Sequence, residues 1–156
     1  GDALAVCLMS LRDFGRDDFA KYHPGGALGK KLLLQVKDMI ENSLKPTVTP
    51  DTPIKKVIFE ISEKRLGATA VVQEGKVIGV VTDGDIRRML NDNDSFTHLT
   101  AKDVMTKSPK MIQSSAMAVQ ALNILEDFSI TQLIVVDNNE YKGIIHLHDI
   151  LKEGIV

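Results

Sequence analysis

The run Val77-Ile78-Gly79-Val80-Val81-Thr82-Asp83-Gly84-Asp85-Ile86-Arg87-Arg88 decides how this chain is read. Val77 to Val81 is short, apolar and rich in Val and Ile, the mark of a buried strand. Thr82 followed by acidic residues predicts a helix start. A strand therefore stops and a helix begins within a few residues. The first N–H groups of a helix lack intrahelical partners and carry partial positive charge, so anions sit well there. Gly84 removes a side chain where a phosphate would approach. Asp85 offers acceptors for a pair of sugar hydroxyls. Thr82-x-x-Asp85 is also the pattern of a capping box, in which the two side chains serve only their own helix. Taken alone, the stretch leaves both readings standing.

Working outward, the same pattern returns about 64 residues later, and an internal repeat changes the whole fold reading. Asp85-Ile86 is matched by Asp149-Ile150, Gly79-Val80-Val81 by Gly143-Ile144-Ile145, and Ala70-Val71-Val72 by Ile134-Val135-Val136, each 64 residues apart. Val36-Lys37-Asp38-Met39-Ile40 is matched by Ala101-Lys102-Asp103-Val104-Met105 at a distance of 65, which places a one-residue deletion before the first strand of the second copy. Each copy predicts a short strand (Thr47 to Thr49, Met111 to Gln113), then a helix. The helix carries apolar positions three and four apart: Ile54, Val57, Ile58 and Ile61, or Val119, Leu122 and Leu125. Two strands follow, Ala68 to Gln73 and Lys76 to Val81, then Gln132 to Asp137 and Tyr141 to His146. Glu74-Gly75 and Asn138-Asn139 supply the turn chemistry between them. A short helix closes each copy. The expected order is strand–helix–strand–strand–helix, twice, an α/β (α+β) arrangement with Asn91 to His98 as the connection.

Composition narrows the class. The chain has 156 residues, 44% hydrophobic and 26% charged, which suits a soluble globular protein. Its formal net charge of -2 lacks the basic footprint of a nucleic-acid binder. No run reaches the ~18 apolar residues of a membrane span, so neither nucleic acid nor membrane is an expected partner. The single cysteine, Cys7, cannot form an internal disulfide, which suits a reducing, cytoplasmic setting. It lies among apolar neighbours and reads as a small buried hydrophobe. Met39, Met89, Met105, Met111 and Met117, with Phe14, Phe19, Phe59 and Phe128, are expected to fill core. His146 and His148 lie two apart, but no third ligand accompanies them, so no metal is expected. No cofactor is expected either.

Ahead of the repeats, residues 3 to 14 read as an Ala/Leu-rich helix, and Asp17 to Tyr22 as another turn or two. Gly1 to Val6 looks like a helix interior without a start signal, so the chain is expected to continue a longer protein. His23-Pro24-Gly25-Gly26-Ala27-Leu28-Gly29 is a turn-rich stretch. Pro24 discourages helix at His23, and a histidine there suits acid/base work as well as an ordinary loop. Lys30, Lys31 and Lys37 are expected on a solvated face.

The doubled pattern over residues 36 to 156 resembles the cystathionine-β-synthase-type (CBS) domain. The resemblance implies two repeats, 36–92 and 99–156, packed through their sheets into one Bateman-type module. It implies that Thr82 and Asp85 hold the phosphate and ribose of a nucleotide in the first repeat. In the second, Asp149 keeps its position while His146 replaces the Thr, either donating to phosphate or narrowing that cleft. The candidate ligand-binding set is therefore Thr82, Asp83, Gly84, Asp85, Arg87, Arg88, His146, His148 and Asp149. For the two arginines, a bidentate anion contact and a solvated helix face both stand.

The front of the chain, with Gly1-Asp2-Ala3-Leu4-Ala5 and the His23 stretch preceding a CBS pair, is similar to the D-arabinose 5-phosphate isomerase family. Residues 1–35 would then be the end of a sugar-isomerase (SIS) domain and a linker. His23 would be a catalytic residue of the parent enzyme alone. The family's other catalytic groups, a lysine and two glutamates, lie upstream of anything in this sequence. Without them an aldose–ketose proton transfer has no positioned partner group, and the chain by itself is expected to be inactive. The resemblance implies a regulatory CBS pair that binds a nucleotide or nucleotide sugar. CMP-Kdo, the end product of the lipopolysaccharide-sugar pathway that the family feeds, would be the feedback ligand. An adenosine-nucleotide sensor, with a base pocket drawn from Val48, Ala70 or Val72, and a ligand-free module for self-association remain alternatives.

Overall fold

The structure is a computed structural model that describes residue 18, residues 26–40 and residues 43–156. The helix expected at 3–14, Cys7, Phe14, Phe19 and His23 lie outside the described residues. Of the stretch Asp17 to Tyr22 only Asp18 is described, and it is helical.

Two short helices lead in, α1 (Ala27–Leu33) and α2 (Val36–Ile40). The first repeat runs β1 (Thr47–Val48), α3 (Ile54–Lys64), β2 (Ala68–Gln73), β3 (Lys76–Thr82) and α4 (Asp83–Asp92). A helical turn α5 (Ala101–Val104) and a two-residue strand β4 (Thr106–Lys107) open the second. It continues as β5 (Met111–Gln113), α6 (Ala118–Asp127), β6 (Gln132–Asp137), β7 (Glu140–His146) and α7 (Leu147–Lys152). The strand–helix–strand–strand–helix order is present twice. The connection is shorter than expected, because α4 takes in Asn91 and Asp92. Both hairpins use turns in which the two central residues have positive φ, 52° and 78° at Glu74-Gly75 and 51° and 64° at Asn138-Asn139. That is the turn whose twist matches the flanking strands.

The strands form one sheet in the order β1-β2-β3-β7-β6-β5, with β4 added against β3. The halves meet where Lys76 pairs with Glu140. Within each half the parallel pair repeats in register, Val48 with Val71 and Ile112 with Val135. Alternation along the strands sorts the apolar residues into three clusters. Ala68, Ala70, Val80, Ile134, Val136 and Ile144 meet between the two repeats. Val57, Ile61, Val71, Val81 and Met89 pack the outer side of the first repeat. Leu122, Leu125, Leu133, Ile145 and Ile150 pack that of the second.

The leading segments are exchanged between these cores. Val36 and Ile40 open the first repeat in sequence but are buried in the second repeat's cluster. Ala101 and Val104 open the second but pack in the first. Matching backbone bonds hold both: Val36 N–H donates to Ala116 O and Ala101 N–H to Thr52 O, each at 2.9 Å. Gly79 makes the second exchange possible. A Cβ there would lie 3.0 Å from the Thr106 carbonyl oxygen and closer still to the Met105 sulfur.

Two aromatic expectations are corrected. Phe59 is 66% exposed and Phe128 50% exposed, so neither fills core. On α3 the buried positions are Ile54, Val57 and Ile61; Phe59 lies two residues from each of the last two, which turns it to the opposite face. Phe128 caps α6 and carries the Lys110 ammonium 3.9 Å above its ring. Met89 is buried, whereas Met111 is 43% exposed on its short strand. Lys30, expected to be solvated, pairs with Glu153 at 3.2 Å.

Candidate functional site

β3 delivers Thr82 to the start of α4, where the side chain closes the helix. The Thr82 N–H and hydroxyl both donate to Asp85 Oδ2 at 2.9 Å, and Asp85 N–H donates back to Thr82 Oγ1 at 3.3 Å. This is a complete capping box. The box alone does not mark a site, because at the start of α5 the Thr100 N–H and hydroxyl both donate to Asp103 Oδ2 in the same way. There the backbone and hydroxyl bonds from Thr100 hold the Asp103 carboxyl below its usual value.

What distinguishes Asp85 is its surroundings. It is only 5% exposed. Its other oxygen, Oδ1, accepts from Arg88 Nη2 at 2.6 Å and from the Thr106 hydroxyl at 3.1 Å. Thr106 arrives on β4, the exchanged segment. The Arg88 side chain is itself 69% exposed. Both Oδ1 donors sit at the rim of a cleft of about 290 Å³. Val80, Ile130 and Ile134 give this cleft an apolar wall; Thr82, Ser108 and Lys110 give it polar and basic groups. An apolar wall facing a few convergent polar groups is the ordinary form of a small-molecule site. Ribose hydroxyls could take the places of the Thr106 and Arg88 donors on Asp85, freeing the guanidinium for an anion.

A second cavity of about 570 Å³ shares Thr82, Ile130 and Gln132 with the first. It lies between the two repeats, and its lining comes in repeat-related pairs: Arg65 with Ser129, Gly67 with Thr131, Thr82 with His146. Asp83 and Gly84 also border it. Gly67 has φ of 66°, and its carbonyl accepts from Asp83 N–H at 3.0 Å. A Cβ at Gly67 would come within 2.8 Å of the Gln132 amide nitrogen and 3.2 Å of Asp83 Oδ2.

The second repeat closes its helix differently. His146 stands at the cap of α7, and its Nδ1 accepts from His148 N–H at 3.0 Å. The neutral ring then carries its proton on Nε2. The two imidazoles stack at 5.1 Å with 13° between planes. Burial pushes the His146 imidazole below its usual value, Asp149 opposing this and His148 and Lys152 adding to it. At the other end of β7, Tyr141 takes the place of Val77, and its hydroxyl donates to Pro46 O at 2.9 Å; burial pushes this phenol up.

Of the nine residues singled out from sequence, Thr82, Asp85 and Arg88 meet at the smaller cleft, and Thr82, Asp83, Gly84 and His146 border the larger one. Arg87 is exposed on α4, and it borders neither of these two cavities, as is also true of His148 and Asp149. Ala70 is fully buried between the repeats and Val48 lies in the first repeat's core, and neither borders these two cavities. Sequence reading missed Arg65, Thr106, Ser108, Lys110, Ile130 and Gln132. All but Arg65 belong to the second repeat: Thr106 reaches Asp85 on the exchanged segment, and the packing of the two repeats brings Ile130 and Gln132 to Thr82. Among the described residues no group of three His, Cys, Asp or Glu side chains could hold a metal ion. No helix among them is long and apolar enough to cross a membrane.

Comparison with known proteins gives a consistent picture. The chain is 40% identical to the arabinose 5-phosphate isomerase KdsD of Yersinia pestis over 158 aligned positions, covering 100% of this chain and 48% of that protein. It is 42% identical to KdsD of Francisella tularensis over 154, covering 97% and 47%. The chain thus spans about half the length of these relatives. Among solved structures, a CBS domain protein of Pyrobaculum aerophilum complexed with AMP aligns with a TM-score of 0.68 at 18% identity, covering 74% of this chain and 89% of that one. The CBS-domain family pattern matches twice, over residues 36–92 and 101–155. With the doubled order of elements, the paired sheets and these matches together, the chain belongs to the CBS-domain family, as a tandem pair of such domains.

Proposed function

We propose that this CBS pair is the regulatory, nucleotide-binding part of an arabinose 5-phosphate isomerase, and that its principal site is the cleft at Thr82, Asp85 and Arg88. One observation carries the reading. A buried carboxylate with exchangeable donors on one oxygen stands beside an apolar wall and two basic groups, Arg88 and Lys110. Ribose hydroxyls suit Asp85, a base suits Val80, Ile130 and Ile134, and phosphates suit Arg88 and Lys110. The similarity to the KdsD proteins supports the isomerase context, and the AMP held by the Pyrobaculum protein supports the ligand class. The parent enzyme interconverts D-ribulose 5-phosphate and D-arabinose 5-phosphate, with His23 among its catalytic groups, and the chain alone is inactive. CMP-Kdo as a feedback ligand, self-association through the pair and a cytoplasmic setting belong to the same proposal.

Calorimetric titration with AMP, ATP, CMP and CMP-Kdo tests it. Saturable binding of one of these, weakened about tenfold or more by Lys110→Ala, is the expected result. A cleft that binds none of the four would leave the pair a structural module. Binding confined to adenine nucleotides would remove the feedback role and keep the nucleotide site.

A further inference from the structure

Among the described residues of the pair, the cap of α7 is the one helix start closed by an imidazole. Thr82 closes α4 with a hydroxyl that accepts from Asp85 N–H, and at α5 the Thr100 N–H and hydroxyl donate to the Asp103 carboxylate. His146 closes α7 with a lone pair on Nδ1. An imidazolium has protons on both nitrogens and cannot accept that bond. It would also face the stacked His148 ring and the positive end of its own helix.

We propose that His146 is a proton-operated latch: neutral, it closes the start of α7 against the cavity shared with Thr82; protonated, it releases that start and reshapes the cavity. The proposal rests partly on the reading of the adjoining cleft as a nucleotide site, which the latch would regulate. Groups of both signs surround the ring. On α7, Asp149 favours the imidazolium while His148 and Lys152 oppose it. Across the cavity, Arg65 opposes it and Asp83 favours it. Burial tips the balance toward the neutral, latched form. Because the folded ring holds its proton less tightly than the unfolded one, the latch contributes fully above about pH 6.5 and is lost as pH falls through the lowered folded value. An anion entering the cavity would draw the ring the other way, so binding would take up a proton and open the helix start.

The test uses the ligand-free chain first. Hydrogen exchange of the His148 amide, corrected for its intrinsic rate, should quicken about fivefold or more between about pH 7.5 and 5, the equivalent of one lost cap. In His146→Asn, which caps without titrating, the same amide should keep its protection across that range. Should that variant fold poorly, His146→Thr restores the residue of the first repeat. Equal pH dependence in the wild type and the folded variant overturns the latch. So does a His146 ring that titrates, by NMR, without any change at the His148 amide. Titration with ADP then separates the latch from the ligand reading. A pH-dependent affinity present in wild type and flattened in the variant supports both. A working latch with no ADP binding keeps the latch and removes its role at a nucleotide site. ADP binding with the same pH dependence in wild type and variant removes the regulation.

Discussion

The helix starts of α4 and α7 occupy the same place in two copies of one motif, yet they are built from different chemistry. At α4 a carboxylate is buried and held by four donors, from Thr82, Arg88 and Thr106. At α7 the matching Asp149 is half-buried, and an imidazole lone pair does the capping. The folds of the two copies are alike because the strand registers and core positions repeat. Their sites differ because a cap can be made in several ways, and each way leaves a different surface for a ligand. A repeated fold therefore does not imply a repeated site.

Substitutions that exchange residues between the copies are the most direct way to break this comparison. Thr69 and Leu133 hold equivalent buried positions, both with no exposed surface, and the Thr69 hydroxyl finds no hydrogen-bond partner. Leu133→Thr should cost about 3 kcal/mol, since it removes packed methyls and buries a hydroxyl. The measurement is a denaturant midpoint. A loss under about 1 kcal/mol would mean that the second core adapts to polar groups as the first one does.

Asp85→Ala leaves Thr106 and the Thr82 N–H without their acceptor and should cost about 2 kcal/mol. Asp149→Ala should stay within about 0.5 kcal/mol. If thermal unfolding ranks the two equally, the asymmetry of the helix starts is not energetic. Gly67→Ala meets both a left-handed φ and crowding by Gln132 and Asp83, and should cost about 1 kcal/mol or more. Thr69→Val should stabilise by about 1 kcal/mol by removing the unpartnered hydroxyl.

The smallest expected effect is a pH effect. Hydrogen bonds from the Ser114 hydroxyl and N–H hold Asp137 below its usual value, as those of Thr100 do for Asp103. Folded carboxyls that give up protons more readily than unfolded ones stabilise the protein above the ordinary value near 3.9, and that stability fades as pH falls through the folded values. Ser114→Ala should move Asp137 back toward the ordinary value, read by its NMR titration, and flatten the acid limb of the stability curve slightly.

How far the sequence could be read follows from what each feature depends on. The element order, both hairpin turns and the buried face of α3 rest on local spacing, and Ile54, Val57 and Ile61 show it directly. The capping box at Thr82 and Asp85 was legible for the same reason, since its partners are three residues apart. Phe59 was misread because hydrophobicity alone does not say which side of a helix faces the core. Thr106, Lys110 and Ile130 were invisible as site residues because nothing local ties them to Thr82. Sequence by itself determined a doubled strand–helix–strand–strand–helix unit, because period and turn chemistry act over a few residues. Tertiary structure alone decided that the leading segments are exchanged, that Asp85 is buried beneath Thr106, and that one repeat's helix start opens onto a cleft walled by the other. Those contacts join residues far apart in the chain, and only the packing of the two sheets brings them together.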